Sequence, residues 1–132
     1  MPEYSFHYDP PKLRISDSEI VVQKTCLRSI AVCFRQTRVV AVPNGGKRTR
    51  WAAQRAKAEG LSAGFPDLIV VSPGSEATNW EGLVAFPEIK AGSPLTPEQR
   101  EWLETLHGMG HYCGVFRSDQ TLVDKLKQWG FV

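Results

Sequence analysis

The chain has 132 residues, of which 42% are hydrophobic, 10% aromatic and 23% charged; this suits one folded domain, leaves little room for a second and excludes a disordered segment. No apolar run approaches the ~20 residues needed to cross a bilayer, and Met1 to Leu13 carry Glu3 and Asp9 without an apolar stretch, so neither a membrane span nor a secretory signal is expected. Three cysteines, Cys26, Cys33 and Cys113, with no CxxC spacing, argue against a disulfide scaffold and a zinc cluster and point to a reducing cytoplasm.

The net charge of +2 says little about partners, but its distribution says more. Between residues 35 and 57 stand seven basic residues (Arg35, Arg38, Lys47, Arg48, Arg50, Arg55, Lys57) and no acid. Such a local excess suits contact with a polyanion, and it equally suits a solvated helix face and loop.

In chain order, residues 1–15 read as an arm carrying Pro2, Tyr4, Phe6, Tyr8, Pro10 and Pro11, and residues 16–132 as a single domain. Ser16-Asp17-Ser18-Glu19 has the form of a capping box and opens a helix running to about residue 35. Its expected buried stripe is Ile20, Leu27, Ile30, Ala31 and Phe34, with Gln23 inside the stripe and Glu19 at its edge. A strand is expected over 39–42, ended by the turn Pro43-Asn44-Gly45-Gly46. A basic helix follows through residue 59, with Gly60 as its C-cap. The spacing then predicts a strand over 67–71, a loop over 72–82 and a strand over 83–90. Thr96-Pro97-Glu98-Gln99 carries an N-cap, a proline at the first helical position and a capping-box glutamine. Trp102, Leu103, Leu106 and Met109 are that helix's expected core face. A strand over 111–116 and an amphipathic helix over 119–129 complete an α/β fold, a small mixed β-sheet flanked by α-helices.

Three features carry candidate chemistry: Gly64-Phe65-Pro66-Asp67, Glu88-Ile89-Lys90 and Gln99. Asp67 opens a strand that is otherwise apolar, and Glu88 and Lys90, two apart, share one face of the next. If those strands pair, two carboxylates come together with an ammonium beside them. That arrangement is costly unless a cation occupies it, and hard oxygen ligands suit Mg2+ or Mn2+. Plainer readings stand beside this one. Asp67 after Gly-x-Pro closes a turn, Glu88 and Lys90 form an exposed strand face, and Gln99 and Glu19 serve only as caps.

Taken in order, Glu19 and Gln23, Asn44-Gly45-Gly46-Lys47-Arg48, Gly64-Phe65-Pro66-Asp67-Leu68, Glu88-Ile89-Lys90-Ala91 and Leu95-Thr96-Pro97-Glu98-Gln99 with Trp102, Leu106 and Gly110 resemble the VRR-NUC family. These are the virus-type replication–repair nucleases of the PD-(D/E)XK nuclease superfamily, and the likeness is greatest to stand-alone, phage-type members over residues 16–118. The resemblance implies the PD-(D/E)XK nuclease core and metal-dependent hydrolysis of DNA phosphodiesters. It places the family's first-helix glutamate on Glu19, its metal-binding aspartate on Asp67, its Glu-x-Lys on Glu88 and Lys90, and its glutamine on Gln99. Pro87 departs from the pattern. Proline inside a strand lacks a ladder donor and implies a bulge or a missing hydrogen bond beside the site.

The expectation is therefore a Mg2+- or Mn2+-dependent DNA endonuclease acting on branched or junction DNA in replication, recombination or repair, in the cytoplasm of a bacterium or phage-infected host. Asp67, Glu88 and the Ile89 carbonyl hold the metal, Lys90 positions the attacking water, and Glu19 and Gln99 complete the pocket. Lys47, Arg48 and Arg50 bind phosphates. Likeness to junction resolvases implies a homodimer. The alternative is a nucleic-acid-binding module with the same fold and little activity.

Overall fold

The computed structural model describes residues 5–12, 17–43 and 50–132. Five strands, β1 (Phe6–Tyr8), β2 (Arg38–Ala41), β3 (Leu68–Ser72), β4 (Leu83–Ile89) and β5 (Tyr112–Phe116), form one sheet in the order β1-β5-β4-β3-β2. The β1–β5 and β4–β5 pairs are parallel and the β2–β3 and β3–β4 pairs antiparallel, so the sheet is mixed as expected. Four helices, α1 (Glu19–Cys33), α2 (Arg50–Ala58), α3 (Pro97–Gly108) and α4 (Asp119–Trp129), flank it.

The two faces of the sheet are covered unequally. On one, Val22, Cys26 and Ile30 of α1 and Leu122, Val123, Leu126 and Trp129 of α4 bury Leu68, Val70, Ala85, Ile89 and Phe116. On the other, Leu103 and Leu106 of α3 cover Cys113 and Val115, with Phe6, Phe86 and Trp102 beside them. Strand alternation assigns Glu88 and Lys90 to the α3 face, with Phe86. Beyond α3, Val40, Val71 and Val84 of the same face stay exposed.

The expected α1 stripe is corrected in part. Ile30 and Phe34 are buried and Leu27 packs against the core as expected, but Ile20 and Ala31 are exposed, and Val22 and Cys26 are buried in their place. The helix has apolar residues on more than one side, so periodicity alone did not select the face. Ser18, not Ser16, is the N-cap, which makes Glu19 the first helical residue and leaves its carboxylate out of a capping box. Ser16, the turn residues Asn44, Gly45 and Gly46, and the basic pair Lys47 and Arg48 lie outside the described residues. Met109 also departs from expectation: it follows the end of α3 and is exposed. The Thr96–Gln99 capping box forms as expected, and α4 spans its expected residues.

Part of the N-terminal arm enters the sheet. Phe6, His7 and Tyr8 pair in parallel with Cys113, Gly114 and Val115. The approach is close enough that a Cβ on Gly114 would lie 2.4 Å from the His7 carbonyl oxygen, so only glycine fits there. Three residues are too few to show alternation in a sequence, which is why this strand escaped the periodicity reading.

Candidate active site

The β3–β4 ladder pairs Ser72 with Leu83, Val71 with Val84 and Val70 with Ala85, then stops. Continuing that register sets Asp67 opposite Glu88, and the ladder ends where Pro87 has no N–H to give. Ile89, of the same parity as Pro87, turns its N–H toward β3, while the Lys90 N–H turns the other way and donates to the Phe116 carbonyl. The proline's missing donor therefore faces the split, and its parallel pairing with Gly114 of β5 continues. The anticipated missing hydrogen bond is thus real, and one step beyond it a side chain, not the β3 backbone, takes the next N–H. Asp67 Oδ2 accepts from the Ile89 N–H at 2.8 Å. The Ile89 carbonyl leaves the strand on the same side as its N–H, toward Asp67.

The motif around Asp67 is built to hold it there. Gly64 adopts φ +83°, and a Cβ on it would meet the Glu98 carbonyl carbon at 2.5 Å, so the loop lies directly on the first turn of α3. Phe65 stands edge-on to Trp102 with centroids 4.9 Å apart, and Trp102 Nε1 donates to Ser62 Oγ at 3.2 Å. The same turn of α3 carries Gln99. Its Oε1 accepts from the Thr96 N–H at 2.9 Å, and its Nε2 donates to Glu88 Oε1 at 3.1 Å. One amide therefore both caps α3 and contacts Glu88.

Glu88 is only 1% exposed, and among the described residues its Oε2 has no hydrogen-bond partner. Burial, then the charge of the neighbouring Asp67, push its carboxyl up to about 9. Burial likewise holds Asp67 above the usual carboxylate range, despite the Ile89 N–H. Lys90, 4% exposed, lies near both, and its Nζ is 3.8 Å from Glu19 Oε1. Glu19 is half exposed and also accepts from Ser93 Oγ at 3.2 Å. Three carboxylates thus surround one ammonium. Among the described residues no group of three or more His, Cys, Asp or Glu side chains is arranged to hold a metal ion. The acidic centre is therefore a pair, Asp67 and Glu88, with Glu19 set against Lys90.

Arg50 opens α2 and is exposed. Sequence reasoning missed the supports behind Lys90. Arg117 is buried, and its NH1 donates to the carbonyls of Ala91 at 2.8 Å and Ser93 at 3.2 Å, fixing the turn that brings Ser93 to Glu19. Arg117 is in turn held by Asp9, whose carbonyl accepts from its Nε at 3.0 Å and whose Oδ2 accepts from its N–H at 2.9 Å. Burial raises the Asp9 carboxyl, but hydrogen bonds from Thr121, the Arg117 N–H and His7 outweigh it and leave it below the usual carboxylate range. The only signal in the sequence was a charged pair, Asp9 and Arg117, too far apart to associate without the fold.

A family model described as the VRR-NUC domain matches residues 15–120. A solved structure described as a "VRR_NUC domain protein" is 24% identical and superposes with a TM-score of 0.60. The match covers 86% of this chain and 88% of that one, a likeness of fold. Comparison with curated proteins finds no match. The family match spans most of the chain, including Glu19, Asp67, Glu88, Lys90 and Gln99; the chain belongs to the VRR-NUC domain family.

Proposed function

We propose that this nuclease domain is a Mg2+- or Mn2+-dependent DNA endonuclease whose centre is Asp67, Glu88 and Lys90. The observation that carries the reading is the buried carboxyl pair, with an orphaned Glu88 oxygen and an excess of negative charge around Lys90. Such a pair fits a hard divalent cation, which would be held by Asp67, Glu88 and the Ile89 carbonyl. When bound, that ion would polarise a phosphodiester and acidify a coordinated water.

The chain's own residues supply the rest. Gln99 pins Glu88 Oε1 and leaves Oε2 without a partner among the described residues. The Ile89 N–H fixes one oxygen of Asp67, so neither carboxylate must be ordered when substrate arrives. The Lys90 ammonium orients the attacking water and offsets charge growing on the phosphoryl oxygens. Glu19, held by Ser93, keeps that ammonium in place. Lys47, Arg48 and Arg50 bind phosphates, a role that needs charge and no base reading.

Branched or junction DNA is the proposed substrate and a homodimer the proposed assembly. The exposed Val40, Val71 and Val84 on the sheet face beyond α3 support a self-association surface, since apolar residues grouped on one face are costly in water. The test is a panel of labelled junction, flap, nicked, duplex and single-stranded DNA incubated with Mg2+, Mn2+ or EDTA. Metal-dependent cutting of junctions is expected. No cutting of any substrate with either metal would sink the enzyme reading and leave a binding module. Light scattering should return about twice the chain mass of 14.7 kDa, and the chain mass itself, with and without DNA, would refute the dimer.

A further inference from the structure

Two tryptophans are mostly exposed, Trp51 at 67% and Trp80 at 75%, in connections that leave the sheet at opposite ends. Trp80 lies in the 73–82 connection between β3 and β4, beside Glu81 and away from Asp67 and Glu88. Trp51 lies in the excursion between β2 and β3, which leaves and returns at the end carrying the carboxyl pair. The Val42 N–H donates to the Asp67 carbonyl where the chain departs, and Gly64 rests on α3 where it comes back.

Within that excursion α2 is an unusual helix, because of its nine residues only Ala56 is buried. Burial of an apolar face therefore does not account for its indole. The ring is nevertheless held: the Arg55 guanidinium lies over it at 5.5 Å from the centroid, and Arg55 Nε bonds Glu59 Oε1 at 2.9 Å. An aromatic surface with Arg55 over it, on a helix that also carries Arg50 and Lys57, matches what an unpaired nucleobase needs. It offers a π-face for the base and positive charge for its phosphates. A paired, stacked base cannot offer its face to an indole, so the contact selects DNA with unpaired nucleotides.

We propose that Trp51, ordered by Arg55 on α2, is a stacking site for an unpaired base of the DNA substrate. The inference rests on the DNA-nuclease reading and names its substrate as DNA that carries single-stranded nucleotides, at a gap, bulge, flap or open junction. Arg55 beside the indole and the basic residues of α2 favour this occupant over a second copy of the chain, whose net charge of +2 brings no complement.

The test is binding of the full chain to fluorescein-labelled DNA in EDTA, where cleavage is blocked. A perfect duplex is compared with the same duplex carrying a short gap and with a single strand. Trp51→Ala should weaken binding to the gapped and single-stranded DNA by about tenfold and to the duplex by less than about twofold. Trp51→Phe should restore most of the loss, Trp51→Leu should not, and Trp80→Ala should bind as wild type does. Equal loss on all three DNAs, no loss on any, or rescue by leucine would overturn the stacking site. A Trp51→Ala chain that changes its mass in light scattering would assign the indole to a protein interface instead. Wild type that binds no DNA at all would fail the nuclease reading itself. Wild type that binds gapped and perfect duplexes alike would fail only this inference.

Discussion

The β3–β4 hairpin has two ends, and they are built on opposite principles. At its connected end, residues 73–82 close mainly on their own backbone, with Ser75 Oγ left without a partner among the described residues: Thr78 Oγ1 accepts from the Ser75 N–H and donates to the Glu81 carbonyl, each at 2.9 Å. Asn79 and Trp80 take left-handed backbone at φ 52° and 65°, a modest local cost that lets the chain turn. At its open end the ladder stops early, Pro87 withholds a donor, and two acidic side chains meet with no cation among the described residues beyond Lys90. One end spends strain on closure and the other spends stability on charge, and only the second cost makes sense as function.

The sharpest way to break that contrast is to remove one charge from the open end. Asp67→Asn should abolish cleavage, by a thousandfold or so, while metal-free stability stays level or rises. Mn2+ at about a hundredfold excess over its Kd should stabilise wild type by about 2.7 kcal/mol and the mutant much less. Thermal melts in EDTA and in metal read both effects. A destabilised, metal-indifferent mutant would mean that Asp67 is only a turn residue.

The pH dependence of the metal-free protein follows next in size. Because the folded Glu88 carboxyl lies near 9 rather than 4.5, the folded state holds a proton that the unfolded state releases. Stability should therefore be highest on the acid side of that window and fall as pH rises from about 4.5 to about 9. At pH 7 the cost is about 3 kcal/mol, at about 1.36 kcal/mol per unit. Glu88→Gln should flatten the slope in denaturant titrations at several pH values. An unchanged slope would show that the pair is not buried with shared charge.

Gln99→Ala should lower cleavage by about tenfold and stability by about 1 kcal/mol, since it removes both a cap and the donor to Glu88. Gln99→Glu restores the cap but sets a further carboxylate against Glu88, so it should recover neither full stability nor activity. The triple variant Lys47→Ala, Arg48→Ala, Arg50→Ala should bind DNA more weakly, its log–log salt slope falling by about one for each lost phosphate contact. At the closed end, Trp80→Gly should change neither cleavage nor the metal response, and should stabilise by up to about 1 kcal/mol by relieving left-handed strain. A loss of activity there would erase the difference between the two ends.

Much of this molecule was legible in its sequence because the signals were local. Thr96-Pro97-Glu98-Gln99 dictates a helix start by chemistry confined to one turn, and α4 shows its apolar face within eleven residues. Asp67, Glu88, Lys90 and Gln99 were singled out by their resemblance to the family's pattern, and a strand register that, continued, sets Asp67 opposite Glu88 brings them together. The tertiary structure decided everything that depends on what lies across a gap. It chose Val22 and Cys26 over Ile20 for the core, because burial depends on where α4 and the sheet stand and not on hydrophobicity along one helix. It drew Phe6–Tyr8 into the sheet against Gly114 and set Asp9 against Arg117, contacts whose partners are more than a hundred residues apart. It also gave Pro87 its context, since the proline falls where the β3–β4 ladder has ended and the Asp67 carboxylate, not a backbone carbonyl, accepts from the Ile89 N–H.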